Sequence, residues 1–198
     1  MVAANSDKMI DKNDVSIEEI PRAIAKEMIE TNHYSKKFPQ AVKAYLGCYY
    51  KGELMGCIIY SIPANPYSFN FVEEINNGEG YELSRMWTDD CVPQNFESCC
   101  IGKSIRYMRK KFPELKGVIS YADSHFGHVG KIYVASNWKF IGMTKPERRY
   151  ILPSGELITR RGLGRKNGES EKEHRVRILE LGAKEFKSEP KYKYFYKL

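Results

Sequence analysis

The chain has 198 residues, 42% apolar and 29% charged, with 32 Lys/Arg against 25 Asp/Glu for a net charge of +7. That composition belongs to a folded protein and argues against intrinsic disorder. The length suits one ordinary domain better than two, and no apolar run nears the roughly 20 residues of a membrane helix. The N-terminal stretch mixes both signs of charge without an apolar segment, so no secretory leader is expected. The charge is uneven: residues 160–198 hold 12 Lys/Arg and 6 Glu. A near-neutral body with a basic C-terminal fifth suits a polyanionic partner without proving one.

In chain order, the first predicted element is a helix over Ser16–Thr31. Ser16 and Glu19 match a capping box, and Ile20, Ile24, Met28 and Ile29 recur at helical spacing; Pro21 fits only in the first turn or at the helix start. Lys43–Tyr50 and Leu54–Ile62 read as a β-hairpin turning at Lys51-Gly52. A loop over Pro63–Gly80 leads to a strand, Tyr81–Trp87. A second helix covers Ser98–Lys111, ended by Pro113. Gly117–Ala122 is a buried-type strand with the loop Asp123–Gly130 at its end. A short third helix follows over Gly130–Ser136, then strands over Lys139–Gly142, Glu147–Leu152 and Leu157–Thr159. A Gly-rich basic link, Arg160–Gly168, precedes a charged helix expected over Glu169–Phe186. The ending KYKYFYKL alternates as a strand whose aromatics imply packing on the body.

Five cysteines, an odd number with two adjacent and none in zinc-ligand spacing, argue for a reducing compartment and free thiols. Cys99 or Cys100 at a helix start is the alternative, an activated thiol. Several other residues carry two readings. Asp123, at a strand end, is a general base or fixes its loop through an Asx turn. His33 is a satisfied surface residue or a proton carrier. Arg85, mid-strand, holds a phosphate or oxyanion, or forms a buried ion pair with Glu82 or Asp123. Ser98 caps the second helix or bonds a donor. Tyr133, on the third helix, reads as a core aromatic. His125 and His128 flank Asp123; with it or His33 they are candidate ligands for iron or another divalent ion. Basic residues on the second helix (Lys103, Arg106, Arg109, Lys110, Lys111) and in the link (Arg160, Arg161, Arg165, Lys166) either face solvent or follow a DNA backbone.

Long phrases go further than single residues. HYSKKFP (His33–Pro39), YYKGELMG (Tyr49–Gly56), ELSRMWTDD (Glu82–Asp90), ESCCIGKSIRYMRKK (Glu97–Lys111), GVISYADSHFGHVGKIYVASNWKFIG (Gly117–Gly142) and KPERRYIL (Lys145–Leu152) together resemble the phage Mom family, DNA adenine-modifying proteins built on a GNAT-like core. The resemblance implies an α+β fold: a mixed, largely antiparallel central sheet flanked by helices. It implies a catalytic core over residues 1–159 with a basic extension, 160–198, packed on it as one domain. It matches the family's functional set at His33, Arg85, Ser98, Asp123 and Tyr133, and the GNAT-like core implies a general-acid role for Tyr133. The usual phosphate-binding loop of the GNAT superfamily has several glycines, whereas Pro93–Ser104 has only Gly102, a departure that speaks against ordinary acyl-CoA binding; Ser98, Gly102 and Lys103 are the expected donor contacts. The donor implied is an acyl-CoA or another activated, small or carrier-bound compound. The implied activity is conversion of adenine N6 in double-stranded DNA to a carbamoylmethyl group, protecting phage DNA from restriction in the host cytoplasm. An ordinary acetyl-CoA-dependent N-acetyltransferase is the alternative, and a homodimer is left open.

Overall fold

Strands β2 (Val42–Tyr50) and β3 (Glu53–Ser61) form the expected hairpin, with Lys51-Gly52 at the turn. In this computed structural model the described residues are 10–76, 78–159 and 163–198. Alternation along the hairpin sends side chains to two different helices. Cys57 and Ile59 join Ile20, Ala25 and Ile29 in one buried cluster, on the side covered by α1 (Arg22–Asn32). Tyr60 points the other way, its hydroxyl 2.7 Å from Ser104 of α2 (Phe96–Lys111). With both faces covered, β3 reads as a nearly continuous apolar run, as a central strand should. Each fully buried Ile or Leu here contributes about 1.5–3 kcal/mol.

The first helix begins later than its periodicity predicts. Val15–Glu19 is a strand, β1, paired antiparallel with β2, and the helix starts only after Pro21. The apparent capping box at Ser16 and Glu19 lies in extended backbone; Val15 is buried and Ile17 pairs with Cys48. Tertiary pairing outweighs the local capping signal.

β3 pairs with β4 (Gly80–Thr88) antiparallel, and β4 pairs with β5 (Gly117–Ala122) parallel. The parallel register covers only Gly80, Tyr81 and Glu82; beyond Glu82, β4 and β5 share no further register. After α3 (Lys131–Ala135) comes β6 (Lys139–Met143). The order β1-β2-β3-β4-β5-β10-β6 completes a seven-stranded sheet in which β10 (Tyr192–Lys197) lies between β5 and β6. The basic C-terminal segment therefore contributes an interior strand, and deleting residues 160–198 would open this sheet.

A separate three-stranded sheet consists of β7 (Arg148–Ile151) flanked by β8 (Leu157–Thr159) and β9 (Lys184–Lys187). With α4 (Glu171–Glu180) it encloses a core of Tyr150, Ile158, Ile178 and Ala183. Ser170 and Glu173 form a full capping box at the start of α4. The helix expected through Phe186 stops early because Gly182, at φ 78, ends it in the left-handed region. Phe186 instead pairs with Arg149 in the sheet.

The chain thus forms two compact units. The first comprises residues up to Tyr121, Gly130–Ile141 and Lys193–Leu198; the second comprises Ala122–Val129 and Gly142–Tyr192. No helix among the described residues is long and apolar enough to cross a membrane.

Candidate active site

In the first unit the polar geometry gathers where β4 and β5 part. Ser120 on β5 places its Oγ 2.8 Å from the Leu83 carbonyl oxygen of β4 and 2.7 Å from the Tyr133 hydroxyl of α3. A serine hydroxyl has one proton and a carbonyl only accepts, so Ser120 donates to Leu83 and the Tyr133 phenol donates to Ser120. Tyr133 is buried, and burial pushes its phenol well above its ordinary value; Ser120, whose hydroxyl can turn to donate to a phenolate, opposes this, and Tyr34, Glu82 and Glu97 add to the rise. It therefore stays protonated through the neutral range. Gly130 makes this position reachable: it adopts φ 76 ahead of α3, and a Cβ there would lie 2.2 Å from the Tyr194 ring.

His33 ends α1, buried, with its ring 4.1 Å from that of Tyr34. Its Nδ1 accepts the Ser35 backbone N–H at 3.1 Å, and the Ser35 hydroxyl lies 2.9 Å away. An N–H can only donate, so Nδ1 is an acceptor and the neutral ring carries its proton on Nε2. Arg85 does not make the ion pair anticipated for it: its guanidinium donates to the carbonyls of Lys37 and Ser84. Burial lowers its pKa, against the opposing fields of Tyr34 and Glu82. The charges of Tyr34 and Glu82 thus bear on both Arg85 and Tyr133. Sequence reasoning gives Glu82 only a supporting part, as a partner for Arg85, and Tyr34 and Ser120 none; the signal for Glu82 is a charge embedded in a strand.

Ser98 is the third residue of α2, not its cap. The helix starts at Phe96 behind Asn95, a left-handed residue at φ 69, and the Ser98 hydroxyl donates back to the Asn95 carbonyl at 3.0 Å. The Ser98 carbonyl accepts from Ser136 of the α3 segment at 3.4 Å. Gly102 follows one turn later and faces open space: an added Cβ would meet only the Arg106 guanidinium, 3.9 Å away. Lys103 turns aside and donates to the Val15 carbonyl at 2.6 Å. Arg106 and Arg109 lie exposed on the outer face of α2, and Arg165 and Lys166 are exposed in the link; Arg160 and Arg161 lie outside the described residues. All five cysteines are free, and burial pushes the Cys99 thiol up, the opposite of an activated nucleophile.

Asp123 belongs to the second unit. Its Oδ1 accepts the His125 N–H at 3.2 Å, the expected Asx turn. Its Oδ2 lies 3.0 Å from Lys191 Nζ and 3.5 Å from Arg149 Nη2, contacts that sequence reasoning missed because they span 68 and 26 positions. Burial alone would raise the carboxyl; the Lys191 hydrogen bond and charge, then Arg149, reverse this and hold it below its ordinary value. A carboxylate so held is a weak base. His125 and His128 are exposed beside it. The anticipated metal group does not form: among the described residues no three His, Cys, Asp or Glu side chains gather as an ion would require. At Asp123 the reason is electrostatic, since two cations already occupy its oxygen and would repel a third.

The seven-stranded sheet with its parting strands defines the class: a GNAT-type acetyltransferase fold. NAA60 of Arabidopsis thaliana, in complex with acetyl-CoA, shares it at TM-score 0.55 and 9% identity, over 93% of this chain and 99% of that one. The aminoglycoside acetyltransferase AAC(6')-Ib, in complex with coenzyme A, matches at TM-score 0.50 and 9% identity, over 73% and 91%. Within that class the chain belongs to the Mom protein family, whose family model matches residues 14–198. It is 35% identical over 130 residues to the methylcarbamoylase Mom of Escherichia phage Mu, covering 65% of this chain. The aligned part spans 54% of that relative, about half its length.

Proposed function

We propose that this protein is a DNA-modifying transferase that converts adenine N6 to a carbamoylmethyl adenine, which would protect phage DNA from restriction. Membership of the Mom family over residues 14–198 carries the reading; the hydroxyl network at the parting of β4 and β5 supplies chemistry consistent with it. Adenine N6 is a poor nucleophile because its lone pair is delocalised into the ring. It is also stacked and paired in a duplex, so the base must be flipped out at a cost of a few kcal/mol.

In this reading Tyr133 is the proton donor to the leaving group, and Ser120 is the relay that returns a proton to it. His33, protonated at Nε2, donates a hydrogen bond to developing negative charge, and Arg85 adds a fixed positive charge nearby. Glu82, rather than Asp123, is assigned as the acceptor of the N6 proton, because two cations make Asp123 a weak base. The start of α2, with Ser98 and the open face at Gly102, would receive an acyl-CoA-like or other activated donor. The N–H groups of a helix start suit its phosphates, and those of Glu97 and Ser98 make no hydrogen bond within the described residues. Arg106, Arg109, Arg165 and Lys166 would meet the DNA backbone.

A thioester delivers its carbonyl carbon to nitrogen, whereas the carbamoylmethyl product is attached through CH2. The donor is therefore not simple acetyl-CoA, or a further step rearranges the product. The second reading, an ordinary N-acetyltransferase, is favoured by the likeness in fold to acetyl-CoA-bound NAA60. Nucleoside mass spectrometry of DNA from cells with and without the expressed protein separates the two. A deoxyadenosine heavier by one carbamoylmethyl group supports the first. Unmodified DNA, with acetyl-CoA consumed on a small amine or a protein, supports the second.

A further inference from the structure

The second unit carries a charge imbalance that its own residues do not resolve. Asp123 and Arg149 are almost fully buried, with side chains 5% and 8% exposed, and Lys191 is 31% exposed. Two cations share one carboxylate oxygen, and no other carboxylate among the described residues pairs with either. The Arg149 contact to Asp123 is long, at 3.5 Å, and its Nε, buried, has no hydrogen-bond acceptor among the described residues. A buried guanidinium N–H without an acceptor is costly, and so is excess buried charge. One multivalent anion would answer both, by taking the Nε hydrogen and neutralising the surplus cation.

We propose that Arg149 and Lys191, oriented by Asp123, form a phosphate-binding site in the second unit. Phosphate fits better than a single carboxylate because its several oxygens can meet the planar Arg149 fork and the Lys191 ammonium together. The half-exposed Lys191 would make the first contact and Arg149 the deeper one. Asp123 is then a positioning residue that keeps two cations side by side, not a base. The proposal stands on this unit's geometry and not on the modification reading, so either can fail alone.

The test uses the full chain. Thermal unfolding is followed with inorganic phosphate against chloride at equal ionic strength, and affinities are measured for a short DNA duplex and for coenzyme A. Phosphate should raise the wild-type melting temperature. Arg149→Met, similar in length and uncharged, should lose that shift and weaken phosphate binding about tenfold or more, as loss of one charge-assisted hydrogen bond implies. Weaker binding of DNA alone would identify a strand phosphate as the source; weaker binding of coenzyme A alone would identify a donor phosphate. Lys191→Met, which leaves a neutral Asp123–Arg149 pair, should show the same losses more mildly and serves if Arg149→Met does not fold. Equal phosphate stabilisation in wild type and variants, or no stabilisation beyond chloride with both affinities unchanged, overturns the proposal.

Discussion

The two units bury polarity in opposite ways. The first sinks neutral hydroxyls and lets them satisfy one another: Tyr60 with Ser104, Tyr133 with Ser120, Ser120 with the Leu83 carbonyl. The second sinks charge, with Asp123 against Arg149 and Lys191. The neutral network keeps phenols protonated and suits proton donation. The charged cluster keeps a carboxylate ionised and suits holding an anion. On the readings proposed above, chemistry and grip divide by the type of buried group, a sharper division than the basic tail against the neutral body that charge counting suggests.

The largest effect that could break this contrast is Asp123→Ala. It leaves Arg149 buried without its carboxylate, which typically costs about 3–5 kcal/mol. Arg149→Met should cost far less, because it removes the surplus charge. Chemical denaturation of both variants, with hydrogen exchange across the second unit, checks the asymmetry; equal losses would mean that the pair is an ordinary structural salt bridge.

The contrast should reappear in pH. The Asp123 carboxyl is held below its ordinary 3.8, so its contribution to stability is complete above that value and is lost as pH falls through the depressed one. Tyr60 and Tyr133 are raised above their ordinary 10.0, chiefly by burial, so the unfolded chain loses those protons first. Their contribution is complete below that value and is lost as pH rises past it. Through Asp123 the second unit should weaken on the acid side, and through Tyr60 and Tyr133 the first should weaken on the alkaline side. Trp87 and Trp138 both lie in the first unit, so tryptophan fluorescence should register the alkaline limb and not local opening of the second.

Tyr133→Phe should change stability by only about 1 kcal/mol, the net worth of one hydrogen bond. It should nonetheless abolish the DNA mark, with fold and DNA affinity retained. A fully active Tyr133→Phe protein would remove the phenol from the chemistry and leave it a core aromatic.

Much of this was legible in the sequence, for identifiable reasons. The hairpin, β5, α2, α3 and β10 announce themselves by local signals: a turn dipeptide, an apolar run, Pro113, alternating aromatics. What was hidden depended on distant partners. Val15–Glu19 became a strand because β2 was there to pair with it, and Phe186 left its helix for β7. At the site, His33, Arg85, Ser98 and Tyr133 were named from phrases resembling the family. No local pattern could show that Lys191 reaches Asp123, or that Arg85 would cap carbonyls and pair with no acid.

The smallest effect is also the most specific. Gly102 sits inside α2, where glycine costs about 1 kcal/mol relative to alanine, and nothing in the fold requires it: an added methyl would meet only Arg106 at 3.9 Å. Gly102→Ala should therefore stabilise the protein by up to about that amount, seen as a higher melting temperature. On the donor-site reading, the missing side chain leaves room for something outside the protein to approach the helix there. If that is the donor, Gly102→Ala should raise the donor KM while leaving DNA affinity unchanged. A stabilised variant with unaltered donor kinetics would move the donor away from this face of α2.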